Sequence, residues 1–127
     1  MNRERVLKVV LVLVGLLFTA GIYPATMILR GRDRSGDGDA MMLSLYVTLG
    51  IFLLLAARNP SANRSVIAFA AWSSFAHGAV MAVMAVHLSN ERRGLLVAAA
   101  VFSIIGVALI VLAPAKQSPE LASAAAV

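Results

Sequence analysis

His77 is the residue of this chain that most invites chemistry. It lies in the middle of an apolar run, residues 65–88, that contains no Lys, Arg, Asp or Glu. An ionisable side chain so deep in an apolar segment is costly and marks a site by default. Ser73 stands one turn before it and Ser74 three residues before; Met81 stands one turn after, and Trp72 is close by. Such an imidazole either serves a ligand or stays neutral, hydrogen-bonded to a hydroxyl or carbonyl of a neighbouring helix. A metal fits poorly. His87 follows about 80° around a helix and about 15 Å along it, too far to share an ion with His77. Met81 and Met84, at i+4 and i+7 from His77, would suit haem or copper only by facing it across a bundle, and methionine is an ordinary filler of irregular cores. No cofactor or metal is expected.

Other polar groups converge toward the same depth. Thr19, Tyr23 and Thr26 form a stripe at i, i+4 and i+7; Ser44 and Thr48 lie one turn apart, with Tyr46 on another side; Ser103 sits midway along the last apolar run. The candidate ligand-binding set is therefore Tyr23, Tyr46, Thr48, Trp72, Ser73, His77 and Ser103. Together they predict either a small pocket opening outward or helices joined by ordinary hydroxyl-to-carbonyl bonds. Ala70, Ser74, Gly78 and Ala82 recur every four residues. This small-residue ridge predicts close helix packing, as small residues let backbones approach in lipid.

Catalytic patterns are absent. No carboxylate lies within the apolar runs to pair with His77, and no phosphate-binding glycine loop or nucleophile elbow is visible. The chain has no cysteine, which removes disulfides, thiolate metal sites and cysteine catalysis. From Asp33 the loop places oxygen-bearing side chains at positions 1, 3, 5 and 7 and Gly38 at 6, as an EF-hand does. Position 12 is Ser44 rather than a bidentate Glu, and Arg34 dilutes the negative field, so a solvated loop is expected.

Four elements must position these groups. Residues 9–29, 40–57, 65–88 and 94–113 form apolar runs of 21, 18, 24 and 20 residues without a charged side chain. As helices they reach roughly 27 to 36 Å, enough for a hydrocarbon core of about 30 Å. Apolar residues make up 61% of the 127-residue chain and charged ones 13%, so the charge is left to the connections and ends. The expected fold is all-α: one membrane-embedded antiparallel four-helix bundle, up-down-up-down, over residues 1–113, with a loose tail at 114–127. Pro24 predicts a bend in the first helix, which either serves packing relief alone or opens the outer half of the bundle. Pro60 predicts the end of the second helix, with Ser61 or Asn63 capping the third. The first run is too long for a signal core and lacks the small residues of a cleavage site, so it is taken as an uncleaved anchor.

The net charge of +5 fits helix ends that meet anionic headgroups, not nucleic acid, because no basic run interleaved with aromatics is present. Arg3, Arg5, Lys8, Arg58, Arg64 and Lys116 fall on one side; Arg30, Arg32, Arg34, Arg92 and Arg93 fall on the other. That balance is nearly even. The basic N-terminal flank and the near-neutral first loop, where Asp33, Asp37 and Asp39 offset the arginines, favour both termini in the cytoplasm.

Residues 41–58, the run 72–78 and the Gly21–Pro24 turn resemble a bacterial family of unknown function whose members are small four-span membrane proteins. The likeness covers most of the chain to about Leu88, and the chain is also distantly similar to DoxX-like four-helix membrane proteins. Neither resemblance implies a catalytic residue or a ligand. Four-span multidrug exporters resemble it in length, but they rely on a Glu in the first helix, which this chain lacks.

The sequence thus predicts a non-enzymatic accessory or binding protein of the bacterial inner membrane, holding an apolar ligand or a partner's helix. Its partners are the lipid bilayer and either further copies or a larger membrane complex. The competing expectation is a small homo-oligomeric transporter or channel with His77 in its pathway. Topology is open to test: cysteines at Ser35 and Ser118 should label from opposite faces of intact cells. Labelling of Ser35 from inside in most molecules would overturn this, and equal labelling would mean dual insertion.

Overall fold

A computed structural model of the chain describes residues 2–31 and 36–114. Among these residues every regular element is helical. The elements are α1 (Arg3–Thr19), α2 (Ile22–Arg30), α3 (Asp37–Ala56), α4 (Arg64–His87) and α5 (Arg92–Leu112), with a 3-10 turn, Pro60–Asn63, leading into α4. Arg3–Arg30, Asp37–Ala56, Pro60–His87 and Arg92–Leu112 are four stretches long and apolar enough to cross a membrane. Asp33 and Ser35 of the calcium-like pattern and the tail from residue 115 lie outside the described residues, while Asp37, Gly38, Asp39 and Ser44 of that pattern belong to α3.

Polar residues set the helix starts. The first helix begins at Arg3, well before the apolar run, because the Asn2 side chain accepts the Glu4 N–H at 3.2 Å. Glu4 in the first turn also opposes the helix dipole. Asp37 and Asp39 do the same at the start of α3. Before α4, Asn59 accepts the Ala62 N–H at 3.4 Å, and buried Pro60 opens the 3-10 turn. The expected caps do not form. Ser61 lies within the 3-10 turn, and Asn63 uses its Nδ2 to donate to the Asn59 carbonyl at 2.8 Å.

Arginines close the other ends. The last carbonyls of a helix lack partners within it, and a cation there also complements the dipole. Arg92 Nε donates to the Ala85 carbonyl at 2.8 Å near the end of α4. Arg3 Nη2 donates to the carbonyls of Val111 and Ala113, each at 2.9 Å, which binds the start of α1 to the end of α5. Arg64 Nε reaches the Pro114 carbonyl at 2.9 Å.

The first span is broken, one turn upstream of where a proline bend would centre. Pro24 has no N–H for the Ala20 carbonyl four residues back, and its ring crowds that carbonyl. The Ala20 carbonyl instead accepts the Tyr23 N–H at 3.1 Å, and the Gly21 N–H turns to the Phe18 carbonyl at 3.0 Å. This tighter winding separates α1 from α2. Pro24 then sits in the first turn of α2, where an N–H has no helical acceptor anyway.

Packing is tightest where side chains are missing. A Cβ on Gly50 of α3 would lie 2.7 Å from the Gly15 carbonyl and the Thr19 amide of α1, so the two backbones touch. Gly106 of α5 receives the Phe75 ring of α4, and Gly78 of α4 faces the Ala99 carbonyl of α5. Leu7, Leu11 and Phe18 of α1, Leu53 of α3, Ile67 of α4 and Leu109 of α5 form one buried cluster fed by all four spans. Large apolar side chains also cover the outside: Leu29, Leu45 and Val86 are each about 70% exposed. Soluble monomers rarely show so much apolar surface.

Gly50→Ala should therefore destabilise the bundle by about 1–3 kcal/mol, the range for overpacking. Gly94→Ala, at a helical position with nothing within 4 Å, should be neutral or stabilise by up to about 1 kcal/mol. Gly78→Leu should likewise lower the melting temperature in detergent, while Val83→Leu on the exposed face should not. Equal melting of Gly50→Ala and wild type would remove the α1–α3 contact from this account.

Candidate functional site

Each of the four apolar stretches contributes one ring, from near its middle, to a cluster. His77 of α4 lies 4.5 Å from Phe102 of α5 and 5.2 Å from Tyr46 of α3, centroid to centroid. Phe18 of α1 completes the group, edge-on to Tyr46 at 5.0 Å and stacked on Phe102 at 5.9 Å. Tilted and edge-on rings place positive ring edges against negative faces, and such pairs contribute about 0.5–1.5 kcal/mol each beyond their buried area.

The four rings line part of a half-open cleft of about 430 Å³. Leu17, Phe18 and Gly21 line one side, Met42, Leu43 and Tyr46 the next, and His77, Met81, Ala98, Val101, Phe102 and Ile105 the far wall. The broken first span accounts for the opening. α1 packs on both α3 and α5, whereas α2 follows α3 and makes no comparable contact with α5.

Among the described residues, no hydrogen bond engages the Tyr46 hydroxyl or the His77 imidazole. No side-chain nitrogen or oxygen of the described residues is buried without a partner, so both polar tips reach accessible surface. They are the two hydrogen-bonding side chains of a lining that is otherwise aliphatic, aromatic or thioether. Apolar clefts of roughly 300–1,000 Å³ with a few placed polar groups are the usual form of a small-molecule site.

Of the seven residues singled out by sequence, Tyr46 and His77 share this cleft. Tyr23 and Trp72 point outward, 70% and 65% exposed, with Trp72 edge-on to Phe75. Thr48 lines a separate groove with Phe52 and Phe69. Ser73 lines a smaller hollow with Leu45 and Leu49. Ser103 lies beside Gly78 on the α4–α5 seam.

The hydroxyls are held by their own helices. Thr19 donates to the Gly15 carbonyl at 2.7 Å, Thr26 to Tyr23, Ser44 to Met41, Thr48 to Ser44, and Ser103 to Ala99 at 2.8 Å. Ser73 and Ser74 both donate to Ala70, at 3.2 and 2.7 Å. Their spacing thus reflects local back-bonding rather than bonds between helices. Of the small-residue ridge, Ala70, Ser74 and Gly78 are buried and Ala82 is exposed.

Phe18, Phe102, Met42 and Leu43 belong to the site and were not singled out by sequence. One signal was available: Phe18, Tyr46, His77 and Phe102 place a ring near the middle of each apolar run. His87 stands exposed at the end of α4, away from the cleft. Among the described residues, no group of three or more His, Asp or Glu side chains could hold a metal ion.

No curated protein and no solved structure matches the chain. The family of unknown function DUF6632 matches it over residues 3–126, which takes in all five helices. The chain belongs to that family.

Proposed function

We propose that this protein is a non-enzymatic membrane bundle whose cleft holds an apolar ligand carrying one polar group. The observation that carries this reading is the pairing of two accessible polar tips, Tyr46 and His77, with otherwise apolar walls. Tyr46 can donate a hydrogen bond, and a neutral imidazole can donate or accept one. In a low-dielectric cleft such bonds select strongly for a ligand that completes them. The described lining of the cleft has no carboxylate, lysine, serine or threonine beside Tyr46 and His77, which supports binding rather than turnover. Its aliphatic walls also offer no continuous polar track for an ion.

The bundle is taken to be antiparallel, up-down-up-down, in the inner membrane of a bacterial cell with both termini cytoplasmic. Support for the alternation comes from contact order: Gly15 meets Leu54, and Gly21 meets Leu43 and Val47. Arg3 at the start of α1 meets Val111 at the end of α5. Support for the orientation is the basic first flank, Arg3, Arg5 and Lys8. The bilayer is the main partner on this reading. The exposed apolar faces also leave room for further copies or a larger membrane complex.

A two-ring phenol, 2-naphthol, tests the cleft. With methionine methyls labelled by ¹³C, the signals of Met42 and Met81 should shift on titration while that of Met41, outside the cleft, stays put. Ala98→Trp fills the cleft and should abolish the shift. His77→Leu should weaken binding about fivefold, the value of one hydrogen bond, whereas His77→Gln should largely retain it. Unchanged titration in Ala98→Trp, or uniform shifts at all methionines, would refute the reading.

A further inference from the structure

A second hollow lies on the opposite seam. α3 packs chiefly on α1 and α4 chiefly on α5, so the α3–α4 seam is loosely filled. Leu45, Thr48, Leu49 and Phe52 of α3 and Ser65, Val66 and Phe69 of α4 line a groove there of about 400 Å³. A smaller hollow of about 200 Å³ shares Leu45, Leu49 and Phe69 with it and extends it toward Ser73 and Tyr46, which also lines the first cleft. The Thr48 hydroxyl is already committed to the Ser44 carbonyl. Apart from Thr48 and from Ser65 at the start of α4, the groove lining is aliphatic or aromatic.

One end of it is basic. Ser65 follows Arg64 at the start of α4, and Arg58 stands two residues beyond the end of α3. Arg64 commits its Nε to the Pro114 carbonyl, and among the described residues its terminal amino groups have no hydrogen-bond partner. The acidic side chains of α3, Asp37 and Asp39, are at the helix's other end. Glu4 is paired with Lys8 at 3.5 Å on α1. Arg58 and Arg64 thus stand at the helix ends nearest Ser65, outside the groove lining itself, and no carboxylate of α3 or α4 lies at that end.

We propose that the α3–α4 groove holds one acyl chain of an anionic phospholipid, with the lipid phosphate held by Arg58 and Arg64. The inference rests on the bilayer reading above but not on the ligand of the first cleft. Inside hydrocarbon an empty groove forfeits dispersion contacts along its whole lining, and a flexible chain restores them. Exposed Phe52 and Phe69 stand at the groove walls. They keep a partner helix from the close backbone approach that small residues allow. Arginine holds phosphate through a planar, two-pronged fork, and each cation near the surface adds to the preference for anionic lipid.

The experiment is native mass spectrometry of the full chain released from bilayer discs containing equal phosphatidylglycerol and phosphatidylcholine. One phosphatidylglycerol should remain bound per chain, favoured roughly tenfold over phosphatidylcholine. Thr48→Trp fills the groove from an exposed position and should remove that adduct. Arg58→Gln should keep a lipid adduct but lose most of the preference. Equal retention of the two lipids by the wild-type chain would overturn the proposal. So would an unchanged adduct in Thr48→Trp, or a dimer in place of the lipid. Failure of the chain to enter the discs would overturn it together with the bilayer reading, whereas entry without a selective adduct would overturn the groove alone.

Discussion

Where α1 crosses α3, a Cβ on Gly50 would meet the Gly15 carbonyl and the Thr19 amide at 2.7 Å, so the two backbones come into contact there. In the membrane setting proposed above, hydrocarbon would give the helices little hydrophobic reason to associate, and contacts of this kind would take over that role. The rest of the bundle is arranged about this crossing. Toward the chain ends, Leu7 and Leu11 pack with Leu53, Ile67 and Leu109, and Arg3 ties α1 to the last carbonyls of α5. On the other side the Pro24 break lets α2 stay with α3. One half is closed and the other open.

The site follows from that asymmetry. Phe18 and Thr19 sit together at the crossing, and Phe18 meets Tyr46 at 5.0 Å. Phe75 packs into the space left by Gly106, fixing α4 on α5. His77, half a turn further along α4, comes within 4.5 Å of Phe102. Four rings from the four apolar stretches thus meet in the wall of the cleft. A single glycine-to-alanine change at the crossing would disturb the ring cluster without touching any of its members.

The spans were legible because charge is absent from long runs, which no partner can disguise. Their ends were less so. Asn2 and Glu4 extend α1 through a charged segment that hydropathy assigns to the flank. Helix faces were hardest: α3 and α4 are apolar nearly all round, so periodicity alone picks out no inward side. Gly50 gave no sign of its role, since its meaning lies in Gly15 on another helix. His77 stood out by type and depth, and Tyr46 by its separation from Ser44 and Thr48. Phe18 and Phe102 look like ordinary apolar residues until folded. The hydroxyl stripes suggested contacts between helices that local back-bonding to carbonyls replaces.

The central claim is that the missing N–H of Pro24 holds α2 away from α5 and so keeps the cleft open. Spin labels at Met27 of α2 and Val97 of α5, both exposed, report that separation directly in bilayer discs. Comparing Pro24→Ala with the native proline, this account predicts a shorter and narrower distance distribution as α1 and α2 fuse and the cleft closes. An unchanged distribution would contradict it.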